Sequence, residues 1–175
     1  MLRTGQRAPD FELPGALGGS IEPHSLSSYT DSGWPVVVVF YPFDFHPACV
    51  SRLCALRDAE WLAIDEDVVV LGVSTDGAYS HRAFAESERI DFPLLSDADG
   101  SVARAYGVLA AEFEGHREVA EQSIFVVDPD RTVQYAWVGE GPEDGPDFEA
   151  IANASRCVGE RCDLDRGVVV DGDEE

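Results

Sequence analysis

Four cysteines stand in two C-x4-C pairs, Cys49/Cys54 and Cys157/Cys162, and they are the residues of this 175-residue chain best suited to chemistry. A cysteine reacts as its thiolate, so what surrounds the sulfur decides what it does. Cys49 lies beyond an apolar run, Val36 to Phe40, bounded by Pro35 and Pro42. That run reads as a buried strand. After Pro47 the spacing turns helical, with Val50, Leu53, Trp61 and Ile64 on roughly one face and a helix expected from Ala48 to about Asp65. Cys49 therefore falls in the first turn of a helix that starts just past a strand end. The unpaired N–H groups and the helix dipole favour an anion there, so the Cys49 pKa is expected to fall. The competing reading is a small buried hydrophobe, a common fate of free cysteine.

The neighbours of Cys49 add to the case. His46 stands three residues before it and Arg52 three residues after. Arg52 is one helical turn away, near enough to depress a thiol pKa, unless it is simply a solvated surface side chain. The imidazole of His46 could donate a hydrogen bond or, when protonated, stabilise a thiolate. It could equally be a bulky block. His24, His81 and His116 are scattered without ligand spacing and read as surface or loop residues.

The stretch YPFDFHPACVSRLCALRD, Tyr41 to Asp58, resembles the active-site loop and helix of the peroxiredoxins. Pro42 and Cys49 match the family pattern of a Pro, three residues, Thr or Ser, two residues and the peroxide-attacking Cys. The C-x4-C-x-L-R-D segment from Cys49 to Asp58 resembles the peroxiredoxin Q (bacterioferritin comigratory protein) branch. Phe92 to Val108 and Ser123 to Asp128 are similar to the one-cysteine alkyl hydroperoxide reductases, and the resemblance spans roughly Gln6 to Phe148. It implies that Cys49 attacks the terminal peroxide oxygen and becomes a sulfenic acid. It also implies that Cys54 then resolves this to a Cys49–Cys54 disulfide. In an ideal helix residues five apart have Cα atoms about 8.7 Å apart, whereas a disulfide needs less than about 7 Å. The first turns must therefore unwind for that bond to form. The alternative for Cys54 is a core cysteine on the Val50/Leu53 face.

Two positions depart from the family. His46 occupies the Thr or Ser position, and Gln122 stands where the family carries an Arg three residues before the Phe of its F-x-x-D strand. One resolution is a swap, with the guanidinium supplied by Arg52 and the amide by Gln122. The first functional hypothesis is a thiol-dependent peroxidase acting on hydrogen peroxide or alkyl hydroperoxides. It would need no bound cofactor or metal and would be restored by a thioredoxin-like electron donor. The second is a peroxidase-deficient thioredoxin-fold module for redox sensing or protein binding. A homodimer is implied by the resemblance alone.

Composition bounds these readings. The chain has 12 basic and 34 acidic residues for a net charge of −22, and every basic residue is Arg. Such a charge argues against nucleic acid and anionic membrane as partners. It fits adaptation to high salt, where the screening length shrinks to roughly 3 Å at 1 M and self-repulsion is muted. No apolar run is long enough to span a membrane. MLRTGQRAPDFEL has no apolar leader core, so a cytoplasmic location is expected. Cys157 and Cys162 could form a disulfide, relay electrons, resolve Cys49 or bind metal; a redox or structural pair is favoured, since a lone C-x4-C lacks two metal ligands.

The elements that must position Cys49 follow from patterning. Phe11–Leu13 and Ser20–Glu22 read as strands around a PGALGG turn, Pro14 to Gly19, and Ser25–Tyr29 as a helical turn. Val36–Tyr41 and Val68–Val73 read as buried strands joined by the cysteine helix, a parallel β-α-β unit. A helix is expected at Tyr79–Glu88, a loop or short strand at Phe92–Leu95, a short helix at Gly100–Tyr106 and a polar loop at Glu112–Glu121. Ile124–Val127 and Thr132–Trp137 form a hairpin about an Asp128–Arg131 turn, and Pro146 to about Arg156 a last helix. The sum is a thioredoxin-like α/β/α sandwich with an N-terminal β-hairpin at residues 1–156, followed by a cysteine-containing acidic tail at 157–175.

Overall fold

A computed structural model of the chain describes residues 1–59, 67–139 and 144–156. Trp61, Ile64 and the tail with Cys157 and Cys162 lie outside the described residues, and with them the expectations placed on those positions.

The VVVVF run is buried along its whole length as β3 (Val36–Phe40), and alternation explains why. Val36, Val38 and Phe40 enter one core, whereas Val37 and Val39 enter another. A strand covered on both faces needs no polar side. β3 pairs in parallel with β4 (Val69–Ser74), which pairs in parallel with β5 (Leu94–Ser96). On its other edge β3 pairs antiparallel with β8 (Ser123–Val127), and β8 with β9 (Val133–Val138). β1 (Glu12–Leu17) joins β5 and carries β2 (Ser20–Ser25), giving the seven-stranded order β2-β1-β5-β4-β3-β8-β9.

Helices lie on both faces. On one, α1 (Leu26–Thr30) and α4 (Ser101–Tyr106) pack about Phe40, Tyr106 and Phe125, whose ring centroids are 5.2–6.0 Å apart. On the other, α2 (Pro47–Arg57), α3 (Ala78–Glu88) and α5 (Phe148–Arg156) bury Cys49, Leu53, Leu56, Phe84 and Ile151. This is the expected thioredoxin-like sandwich with its N-terminal hairpin.

Three segments depart most from expectation. Pro14–Leu17 belong to β1, and only Gly18 and Gly19, both at positive φ, make the turn. α2 ends at Arg57, short of Asp65: the Asp58 N–H bonds both the Cys54 and Leu56 carbonyls, and Ala59 N–H bonds Leu56 O at 3.1 Å, so the last turn tightens and stops. The polar segment 112–121 is not a loop. It belongs to a two-stranded ribbon, β6 (Leu109–Phe113) and β7 (His116–Ala120), closed by Glu114 and Gly115 at φ 48° and 80°. Two positive-φ residues between paired strands make the turn type whose twist matches the strands.

Candidate active site

The loop from β3 to α2 is fixed by buried polar contacts. Asp44 accepts from Tyr41 Oη at 2.9 Å and from Ser80 Oγ at 2.6 Å, and lies 2.9 Å from Nδ1 of His81. The other His81 nitrogen donates to the Leu95 carbonyl at 3.0 Å, because a carbonyl only accepts. The Asp44 N–H donates to Asp76 Oδ2 at 2.6 Å, tying the loop to the end of β4. His81 is fully buried, contrary to its reading as a surface or loop residue. It shares an inner face of α3 with Phe84, three residues on, a spacing the sequence displayed but a lone histidine does not flag. Asp44 and Asp76 were likewise not anticipated.

The same loop stores backbone strain. Phe45 sits at φ 60°, a region costly for a non-glycine residue, with its ring edge-on to Phe84 at 5.0 Å. His46 follows as an extended N-cap without a side-chain capping bond, and Pro47 starts the helix with its φ already suitable. Cys49 is thus the third residue of α2, in the first turn as expected, and 1% exposed.

A cavity of about 660 Å³ opens beside it. Its wall brings together Pro42, His46, Cys49, Arg52 and Gln122, five of the six candidate residues. The opposite wall comes from β6–β7, with Ala110, Glu112, Phe113 and Glu114. Because that ribbon pairs small and polar residues with a few apolar ones in no regular order, it lacks the apolar alternation by which a strand is recognised, so its share in the site was not foreseen. Arg52 is not a solvated surface residue. Its guanidinium lies 5.6 Å from the Trp137 ring centroid and donates to the Asp144 carbonyl.

The electrostatics correct one expectation. The Cys49 thiol is pushed up to about 11, not down. Burial is the main cause, reinforced by the charges of Asp44 and Asp76; a backbone hydrogen bond from Phe43 and the Arg52 guanidinium oppose it without prevailing. The Phe43 N–H and Arg52 pull in the anticipated direction, but desolvation of the anion outweighs them. Burial also pushes the Asp76 carboxyl up, offset in part by the Asp44 N–H.

Cys54 stands apart from the cavity. It is half-buried, with Sγ 3.9 Å from Glu88 Oε2, and both it and Cys49 are free thiols. Partial burial raises its pKa, opposed by the Arg57 guanidinium. Among the described residues no cluster could hold a metal ion, and no helix is long and apolar enough to cross a membrane.

The chain is similar to known proteins over most of its length. The AhpC/TSA family matches residues 4–136. Peroxiredoxin Bcp of Bacillus subtilis is 33% identical over 138 residues, covering 78% of this chain and 85% of its own. Thioredoxin peroxidase of Fasciola hepatica is 32% identical over 149 residues, covering 81% and 74%. The crystal structure of peroxidoxin BcpB from Mycobacterium tuberculosis aligns with a TM-score of 0.75 at 35% identity, over 88% of this chain and 97% of that one. These relatives do not favour the reading of a peroxidase-deficient module. With a cysteine-bearing helix start at the end of a thioredoxin-like sheet, and with these relatives, the chain belongs to the AhpC/TSA family, matches its Bcp or peroxiredoxin Q branch, and is a thiol-dependent peroxidase.

Proposed function

We propose that Cys49 is the sulfur that reduces the peroxide, and that Cys54 resolves the resulting sulfenic acid as a Cys49–Cys54 disulfide. The observation that supports this most is the shared cavity: one buried thiol at a helix start, walled by Pro42, His46, Arg52 and Gln122. Peroxide is small and neutral, so it can enter a site where an anion would be penalised. Arg52 and Gln122 stand where a guanidinium and an amide can take up charge developing on the peroxide oxygens. Pro42 contributes an apolar part of the same wall.

Resolution requires movement. The Cys49 side chain belongs to the apolar cluster with Leu53 and Phe84, whereas Cys54 faces Glu88 at the end of α3. The start of α2 unwinds to bring the sulfurs together, releasing the strain at Phe45. A thioredoxin-like dithiol then exchanges with the disulfide in the cytoplasm. The acidic, lysine-free surface suits a protein working in high salt, and a homodimer is the assembly proposed.

Stopped-flow oxidation of the reduced protein by hydrogen peroxide, in molar potassium chloride, tests this reading. Cys49→Ser should reduce the rate to that of ordinary thiols. Cys54→Ser should leave the first oxidation fast and prevent disulfide formation. Fast oxidation that persists in Cys49→Ser would refute the assignment.

A further inference from the structure

The cavity beside Cys49 is far larger than hydrogen peroxide requires. At about 660 Å³ it falls among pockets that hold whole organic ligands, about 300–1,000 Å³, whereas a water molecule takes about 30 Å³. Hydrogen peroxide, with two oxygens, needs roughly twice a water's share. Apolar residues from three elements line the remaining space. Ala48 comes from the first turn of α2, Ala110 and Phe113 from β6, and Val138 from the end of β9. None of the four is fully buried, so each retains apolar surface for a bound organic group to cover.

The charges of the lining are lopsided. Among the described residues they are the carboxylates of Glu112, Glu114 and Glu121 against the guanidinium of Arg52. All three glutamates are exposed. Glu114 lies 3.4 Å from His46 Nε2, and even a protonated His46 leaves the carboxylates in the majority. Arg117 stands opposite Glu112 in the ribbon but does not line the cavity. An anion entering here would exchange water for apolar walls and meet like charge at the lining. An uncharged molecule with an apolar body meets neither cost.

We infer that the cavity selects uncharged organic hydroperoxides, R–O–OH with an apolar R, over hydrogen peroxide and over hydroperoxides that carry a carboxylate, and that Glu112 and Glu121 enforce the second choice. The inference rests on the reading of Cys49 as the attacking sulfur and names the substrate class of that site. The R group rests against Ala48, Ala110, Phe113 and Val138, while the hydroperoxyl end reaches Cys49, Arg52 and Gln122. The reaction is that of the proposed function. Sulfur bonds the terminal oxygen, the O–O bond breaks with its electron pair on RO, and the thiol proton ends on RO. Cys49 becomes a sulfenic acid and R leaves as the alcohol ROH.

The test is stopped-flow oxidation of the reduced full-length protein at pH 7 by hydrogen peroxide, cumene hydroperoxide, para-carboxycumene hydroperoxide and the methyl ester of the last. Each rate constant is divided by that of free cysteine with the same peroxide, which removes intrinsic reactivity. Wild type should favour cumene hydroperoxide over hydrogen peroxide by about tenfold or more, and the ester over the acid by about tenfold. Glu112→Gln and Glu121→Gln should each lower the ester-to-acid ratio by about threefold. That ratio should also fall as potassium chloride is raised to about 1 M, where the screening length is about 3 Å. Ala110→Leu, which fills the cavity from β6, should lower the ratio of cumene hydroperoxide to hydrogen peroxide by about tenfold. Circular dichroism in each salt establishes that the variants fold.

The whole chain, at a net charge of −22, repels anions at long range. Removing one charge barely changes that field, so a drop in the glutamate variants reads the cavity itself. An ester-to-acid ratio unchanged in both glutamate variants would overturn the inference. So would a wild type that prefers hydrogen peroxide, or an Ala110→Leu protein with wild-type ratios. Oxidation by cumene hydroperoxide that stays fast in Cys49→Ser would instead sink the assignment of Cys49. Fast, Cys49-dependent oxidation without preference among the four peroxides refutes the selection alone.

Discussion

Two thiols share one eleven-residue helix and live in different media. Cys49 is 1% exposed, belongs to the apolar cluster that includes Leu53 and Phe84, and lines the cavity. Cys54 is half-buried beside Glu88 and Arg57, within reach of solvent. Accessibility alone makes Cys54 the easier target. Only a reagent that fits the cavity and meets its polar groups can reverse that order. On the proposed assignment of Cys49 as the attacking sulfur, selectivity for peroxide comes from the pocket and not from a thiolate that any electrophile would find.

The sharpest way to break this comparison is to remove the inner sulfur. Cys49→Ser should slow peroxide consumption to the level of free cysteine, whereas Cys54→Ser should leave single-turnover oxidation within about twofold of wild type. Stopped-flow kinetics on the reduced variants checks both. Next in size is the clamp on the loop. Asp44→Ala removes the carboxylate that Tyr41, Ser80 and His81 share, and breaking such a buried pair costs about 3–5 kcal/mol. Urea unfolding in molar salt should show a lower midpoint with an unchanged slope.

The packed face of α2 is the third test. Leu53→Ala opens a hole beside Cys49 and should cost about 2–5 kcal/mol, whereas Ala55→Ser on the exposed face should stay within about 0.5 kcal/mol. The fourth concerns alkali. The folded pKa of Cys49 lies above that of an unfolded thiol, so the folded state holds its proton more tightly. That contribution is fully present below about pH 9 and is lost as pH rises to about 11, a change of about 2–3 kcal/mol. Alkaline unfolding of wild type against Cys49→Ala isolates it. The smallest effect is one of order: near pH 7, iodoacetamide should alkylate Cys54 before Cys49.

Much of this was legible in the sequence, for physical reasons. The unbroken apolar run Val36–Phe40 announced a strand covered on both faces, and Pro47 followed by Cys49 announced a helix start. Local rules suffice where a residue's role depends on its near neighbours. They fail where the role comes from a contact made across the fold. His81 is paired with Asp44, 37 residues away. Glu114 reaches His46 across 68 residues, from a ribbon whose charged exposed surface hides its strands. The direction of the Cys49 pKa failed for the same reason. The helix start and Arg52 are local and visible in the sequence, whereas burial is a sum over the whole core.

The most direct test of the inner thiol is to identify which sulfur peroxide oxidises first. The reduced protein would receive one equivalent of hydrogen peroxide in molar potassium chloride with a dimedone-type sulfenic acid trap, and peptide mass spectrometry would locate the adduct. An early adduct at Cys49 ahead of Cys54, Cys157 and Cys162 is the expected result. An adduct first at Cys54, or spread evenly over the four cysteines, would contradict it.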